Sequence, residues 1–259
     1  MNLTHTLDFI RDTVSKDTEL KYRGSILGIA WLFLPSLVSI LLYSLVFSKL
    51  MHSRLPGNSS SFAYSIYLCA GLLIWNFFSD VLQRSVGAYT DNANILKKAK
   101  FNKLSLIAIA AANSTVQFLI ISALFIVFLG ISGNLSFSGL ATYFMAWLMI
   151  LALSLPLCAI AALLNIFFRD VGHLIQITLL GLFWCTPIVY PAAILPEGMQ
   201  RWIILNPLAY PIQFSQSGVL DSPAPQLAGL GITLAIAVLL LMGAVLLHRA
   251  LASDFLDEL

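Results

Sequence analysis

Residues 104–168, LSLIAIAAANSTVQFLIISALFIVFLGISGNLSFSGLATYFMAWLMILALSLPLCAIAALLNIFF, run for 65 residues between Lys103 and Arg169 without one Asp, Glu, Lys or Arg. A soluble domain of this size cannot leave such a span uncharged. The stretch is long enough for two membrane crossings, since a bilayer's hydrocarbon core takes about 20 apolar residues per helix. It divides into spans at Leu104–Ile131 and Leu140–Phe168. Composition agrees: 59% of the 259 residues are hydrophobic, 10% are charged, and the mean hydropathy is +0.89. Globular chains carry about 25% charged residues.

Outward from this stretch the pattern repeats. Lys21–Leu50, KYRGSILGIAWLFLPSLVSILLYSLVFSKL, begins basic and turns apolar at Ile26. Together with Phe62–Tyr89, Gly172–Tyr190 and Leu227–His248 this gives six expected transmembrane helices in an all-α integral membrane fold. The whole chain, residues 1–259, then forms a single transmembrane domain. Six spans place both termini on one side. Eleven basic residues fall on that side (Arg11, Lys16, Lys21, Arg23, Arg84, Lys97, Lys98, Lys100, Lys103, Arg169 and Arg249), against Lys49, Arg54 and Arg201 on the other. The positive-inside rule assigns the richer side, with both termini, to the cytoplasm.

Three segments lie outside the spans. In residues 1–20, Leu3, Leu7, Ile10 and Val14 make an apolar stripe and Asp8, Arg11, Asp12, Lys16 and Asp17 a charged face. That pattern fits first an amphipathic helix on the cytoplasmic membrane surface, with a docking surface for a soluble partner as the alternative, and the two are compatible. A removable signal peptide is not expected, because a short basic start and a cleavage site are lacking. Residues 88–103 form the most polar connection and carry Lys97, Lys98, Lys100 and Lys103 beside Ile95, Leu96 and Phe101. This suits a helix on the cytoplasmic face that meets either an acidic groove or acidic lipid. Residues 191–225 are too long for a turn and too apolar for a solvated loop. Glu197–Leu205 and Leu208–Leu220 are expected as two short re-entrant helices, acting as a gate or as an interfacial cap.

The chemistry excluded is as informative. None of the 15 glycines is followed by Lys, so the chain has no phosphate-binding loop of the GxxxxGK[ST] kind. His5, His52, His173 and His248 are scattered over both faces, and Cys69, Cys158 and Cys185 lie singly in apolar runs. No catalytic constellation, metal site or disulfide framework is expected. Asp80 and Arg84 sit one helical turn apart near the inner end of the second span, spaced for an ion pair.

A family resemblance rests on an ordered set of motifs. YRGSILG at 22–28 with Trp31, Pro35 and Tyr43–Ser48 resembles the opening of the membrane subunits of ABC type-two exporters that move cell-surface polysaccharides. GLLIWNFF at 71–78, NILKKAKF at 94–101, FFRD at 167–170, TPIVYP at 186–191, Leu195-Pro196 and Asn206-Pro-Leu208 resemble later motifs of that family, in order. The O-antigen, capsule and teichoic-acid branch fits best. Ile74 and Asn102 stand where the family often has proline, and Gln216 where arginine is common.

The resemblance implies a homodimeric channel on two copies of a cytosolic ATPase, which would bind ATP and Mg, with no cofactor on this chain and no nucleic acid as partner. The cargo implied is polysaccharide on an undecaprenyl lipid, crossing the bacterial inner membrane. Asn94, Ile95, Leu96, Lys97, Lys98 and Phe101 are then the ATPase coupling segment. Tyr43, Phe47, Trp184 and Tyr190 are candidates for the channel lining, because rings stack on sugar C–H faces, or else for the interfacial aromatic belt. Arg169 and Asp170 are candidates for meeting the lipid headgroup or bracing the coupling segment. An exporter of a small molecule or lipid and an accessory subunit of an envelope synthase are the rival classes.

Overall fold

A computed structural model of the chain describes residues 62–93, 96, 103–196, 198, 200, 203, 205–223 and 227–251, together with Leu34, Val38 and Leu42. Six α-helices are described in full: α1 (Ala63–Val86), α2 (Leu104–Ile131), α3 (Phe137–Phe167), α4 (Val171–Cys185), α5 (Ala209–Val219) and α6 (Leu227–Ala250). Four of them, α1, α2, α3 and α6, are long and apolar enough to cross a membrane. At about 1.5 Å per residue, their 24 to 31 residues exceed a hydrocarbon core of about 30 Å. Of the expected first span only Leu34, Val38 and Leu42 are described, all helical and exposed. The amphipathic segment 1–20 lies outside the described residues.

With α1 drawn running downward, α1 and α3 descend and α2 and α4 ascend. The bundle is organised around α1, which packs against α2, α3, α4 and α5, while α6 lies along α3 and α5. Every α1 residue from Ser65 to Trp75 is buried. Beside it Phe118 stacks on Trp147 at 5.1 Å and on Tyr143 at 5.7 Å, and the buried Tyr143 hydroxyl lies 2.9 Å from Ser122 Oγ. Small residues bring backbones close: a side chain at Gly218 would strike Thr142, and one at Gly229 would strike the Tyr210 ring. Without a hydrophobic force between helices in lipid, such close contact is a main source of association.

Helix ends follow local chemistry. α2 ends in a Schellman turn, with Gly133 at φ +72°, its N–H on the Gly130 carbonyl and the Asn134 N–H on the Leu129 carbonyl. α3 starts at Phe137, three residues before the expected Leu140, because the extended Ser136 accepts the Gly139 N–H on its hydroxyl at 3.0 Å. α2 keeps both expected ends. The expected Phe62–Tyr89 shortens to α1, with Tyr89 in the following turn, and the expected Leu227–His248 extends to Ala250.

The fifth expected span, Gly172–Tyr190, differs most. Its helix stops at Cys185 and Thr186 turns extended, at φ −104° and ψ 133°. Pro187 is the cause: its ring disfavours helical geometry at the preceding residue and it has no N–H to continue the ladder. Residues 186–190 leave α4 as a non-helical strap. Beyond it, the second short helix expected after the strap is present as α5, whereas Glu197–Leu205 lies largely outside the described residues.

Candidate functional site: a strap held by side chains

Thr186, Pro187 and Ile188 of the strap are buried, so its carbonyls need partners that a helix would otherwise supply. Every one has a partner. The Ile188 N–H donates to Thr186 O at 2.7 Å. The Tyr64 hydroxyl donates to Val189 O at 2.6 Å, and the Tyr67 hydroxyl lies 3.1 Å from Tyr190 O and 3.4 Å from Pro187 O, sharing one proton between them. Gln216 Nε2 on α5 donates to Ile188 O at 3.0 Å. Three side chains on two helices thus do the work of a missing turn.

Tyr64 and Tyr67 are i,i+3 on the first turns of α1, and their rings stack at 6.3 Å. Gln216 is buried against Gly71, where any Cβ would strike its amide. Its Oε1 is buried without a hydrogen-bond partner among the described residues. The Asn-Pro-Leu motif closes the far side: Asn206 Nδ2 donates to Thr186 Oγ1 at 2.8 Å, and Thr233 of α6 donates to Pro207 O at 3.0 Å.

Two of the four expected lining aromatics meet at this end. The Tyr190 hydroxyl donates to the Trp184 carbonyl at 2.6 Å, and Trp184 is 62% exposed. Tyr43 and Phe47 lie outside the described residues. Trp75 is buried, against Phe78 at 5.8 Å and Phe183 at 5.6 Å. Sequence reasoning missed Tyr64 and Tyr67. Their i,i+3 spacing at the head of a span was the available signal.

At the lower end, Arg84 Nε and Asp80 Oδ2 form the expected ion pair at 2.7 Å. Two groups of α2 join it: Ser114 Oγ donates to Asp80 at 2.6 Å, and Arg84 donates to Gln117 Oε1 at 3.1 Å. Arg169 and Asp170 are exposed in the turn between α3 and α4. Of the expected coupling residues only Leu96 is described; it is helical and buried in the core cluster. Asn94, Ile95, Lys97, Lys98 and Phe101 lie outside the described residues. Burial lowers the pKa of Lys103, just ahead of α2. All described Lys and Arg residues (Arg84, Lys103, Arg169 and Arg249) lie toward this end.

An α-helical bundle with four spans long and apolar enough to cross a membrane, carrying a buried non-helical strap at one end, is the architecture of an integral membrane protein. The chain belongs to the ABC-2 type transporter membrane family, whose model matches residues 13–220. It is similar to an O-antigen export system permease protein of Myxococcus xanthus, 25% identical over 95% of this chain and 93% of that one. It is likewise similar to an O-antigen export system permease protein of Klebsiella pneumoniae, 27% identical over 80% of this chain and 78% of the relative. A polysialic acid transport protein of Escherichia coli is 22% identical over 75% of this chain and 74% of its own.

Proposed function

We propose that this chain is the channel-forming permease of an ATP-driven exporter that moves undecaprenyl-linked O antigen from the cytoplasm across the bacterial inner membrane. The observation that carries this reading is the likeness to O-antigen export permeases of two organisms along most of both chains. The polysialic acid relative supports a second reading, in which the cargo is a capsular polysaccharide carried by the same machinery.

Two copies form one channel of six spans each, with two short helices dipping back at the outer mouth, α5 being the second. Both termini face the cytoplasm. Two copies of a separate ATPase, carrying ATP and Mg, bind beneath and push on Asn94–Phe101 and the amphipathic helix at 1–20. The described basic residues at the lower end support that orientation. Closure of the ATPases biases the bundle between two states, and release of the strap at Thr186–Tyr190 opens the outer mouth. Tyr43, Phe47, Trp184 and Tyr190 line the path, and Arg169 and Asp170 meet the lipid headgroup.

Deleting the gene and comparing surface polysaccharide with lipid-linked polysaccharide retained inside tests the reading. Loss outside with accumulation inside is expected. An unchanged surface with no accumulation would move an exporter of small molecules or lipids to first place.

A further inference from the structure

Among the described residues, α1 is buried on every face from Ser65 to Trp75, whereas below Trp75 one face is open. Between Asn76 and Val86 the residues left open are Asn76, Ser79, Asp80, Gln83 and Arg84, all polar, while Phe77, Phe78, Val81, Leu82 and Val86 are buried. The spacing 3, 1, 3, 1 puts the five on one helix face, along about 12 Å of axis. The faces left open on α2 and along most of α6 are apolar by contrast: Leu119 and Val127 on α2, and Val238, Leu239, Met242 and Leu246 on α6, whereas α4 leaves Gln176 and Thr178 open beside its apolar residues. A lipid-facing surface takes the apolar form. A polar stripe that includes an ion pair within a span faces water or other protein.

Its groups are arranged to stay neutral and to offer both donors and acceptors. Asp80 and Arg84 cancel in charge and are only 31% and 33% exposed, and Gln83 Nε2 donates to Ser79 Oγ at 2.8 Å. The exposed Asn76 and Gln83 present amides, and Gln117 of α2 borders the stripe through Arg84. Carboxamides and hydroxyls without net charge match sugar hydroxyls, binding each weakly enough for onward movement. We infer that this face of α1 lines a water-filled groove in the lower half of the bundle, contacting the hydrated glycan as it passes. This rests on the export reading above.

Single cysteines at Asn76 and Gln83, in a Cys185→Ser background because Cys185 is exposed while Cys69 and Cys158 are buried, test the groove in inverted membrane vesicles. Asn76→Cys and Gln83→Cys are expected to react with a charged methanethiosulfonate at least about tenfold faster than Val127→Cys or Val238→Cys, because thiolate forms poorly in apolar surroundings. Modification at either groove position should also block uptake of lipid-linked glycan relative to the same variant unmodified. Thiols as slow as the lipid-facing controls would mean that protein covers the stripe, and would overturn the groove. Fast modification that leaves transport intact would overturn its place on the path. If deletion of the gene leaves export unchanged while the thiols still react fast, it is the glycan assignment that falls and the aqueous face that stands.

Discussion

Gln216 of α5 reaches the backbone of Ile188, 28 residues earlier, and its Nε2 donates to that carbonyl at 3.0 Å. The pair fixes the middle of a strap whose Pro187, Val189 and Tyr190 carbonyls are held by Tyr64 and Tyr67. Irregular backbone is tolerated at membrane depth only when protein satisfies it, so these three side chains determine whether the strap keeps its place.

Gln216→Leu leaves the Ile188 carbonyl buried without a donor, which costs about 1–3 kcal/mol, and also removes the unpaired Oε1, which offsets part of it. A net loss of about 1 kcal/mol is expected. Thermal unfolding of the purified protein in nanodiscs checks this, and an unchanged Tm would show that the strap does not depend on the amide.

Gly71→Ala drives a methyl into the Gln216 amide. Overpacking of this kind costs about 1–3 kcal/mol. Combined with Gln216→Ala, which opens the space, the double variant should be more stable than the two single losses predict. Strict additivity in the double-mutant cycle would deny the contact.

Tyr64→Phe and Tyr67→Phe keep their rings and remove the hydroxyls. Each is expected to cost about 0.5–1.5 kcal/mol. Because these bonds hold the strap, limited proteolysis or thiol labelling at Cys185 should detect loosening there before the α2–α3 turn changes.

Arg84→Ala leaves the Asp80 carboxylate with the Ser114 hydroxyl as its remaining side-chain donor among the described residues. A lost hydrogen bond to a charged group costs about 1.5–3 kcal/mol, and partial exposure puts the effect at the low end. Asp80→Asn with Arg84→Gln removes both charges and should recover most of the stability. No recovery would mean that the pair matters through shape rather than charge.

Four of the six expected spans were legible because hydropathy and charge report directly on contact with lipid, and α2 begins and ends where its apolar run does. The Asp80–Arg84 pair was equally legible, since i,i+4 spacing is local. Ser114 and Gln117 were not, because they reach the pair from another helix. The strap escaped for the same reason: Tyr64 lies 125 residues from Val189 in sequence. The stop of α4 at Cys185 could have been read from Pro187 alone, but the apolar run through Tyr190 pointed the other way.

Under the proposed function, ATP drives lipid-linked polysaccharide through this chain. Inverted inner-membrane vesicles holding the permease with its ATPase, given labelled lipid-linked glycan outside, test it most directly. ATP is expected to move label into a space protected from glycosidase, and vesicles without the permease to show none. Equal protection without ATP, or without this chain, would contradict it.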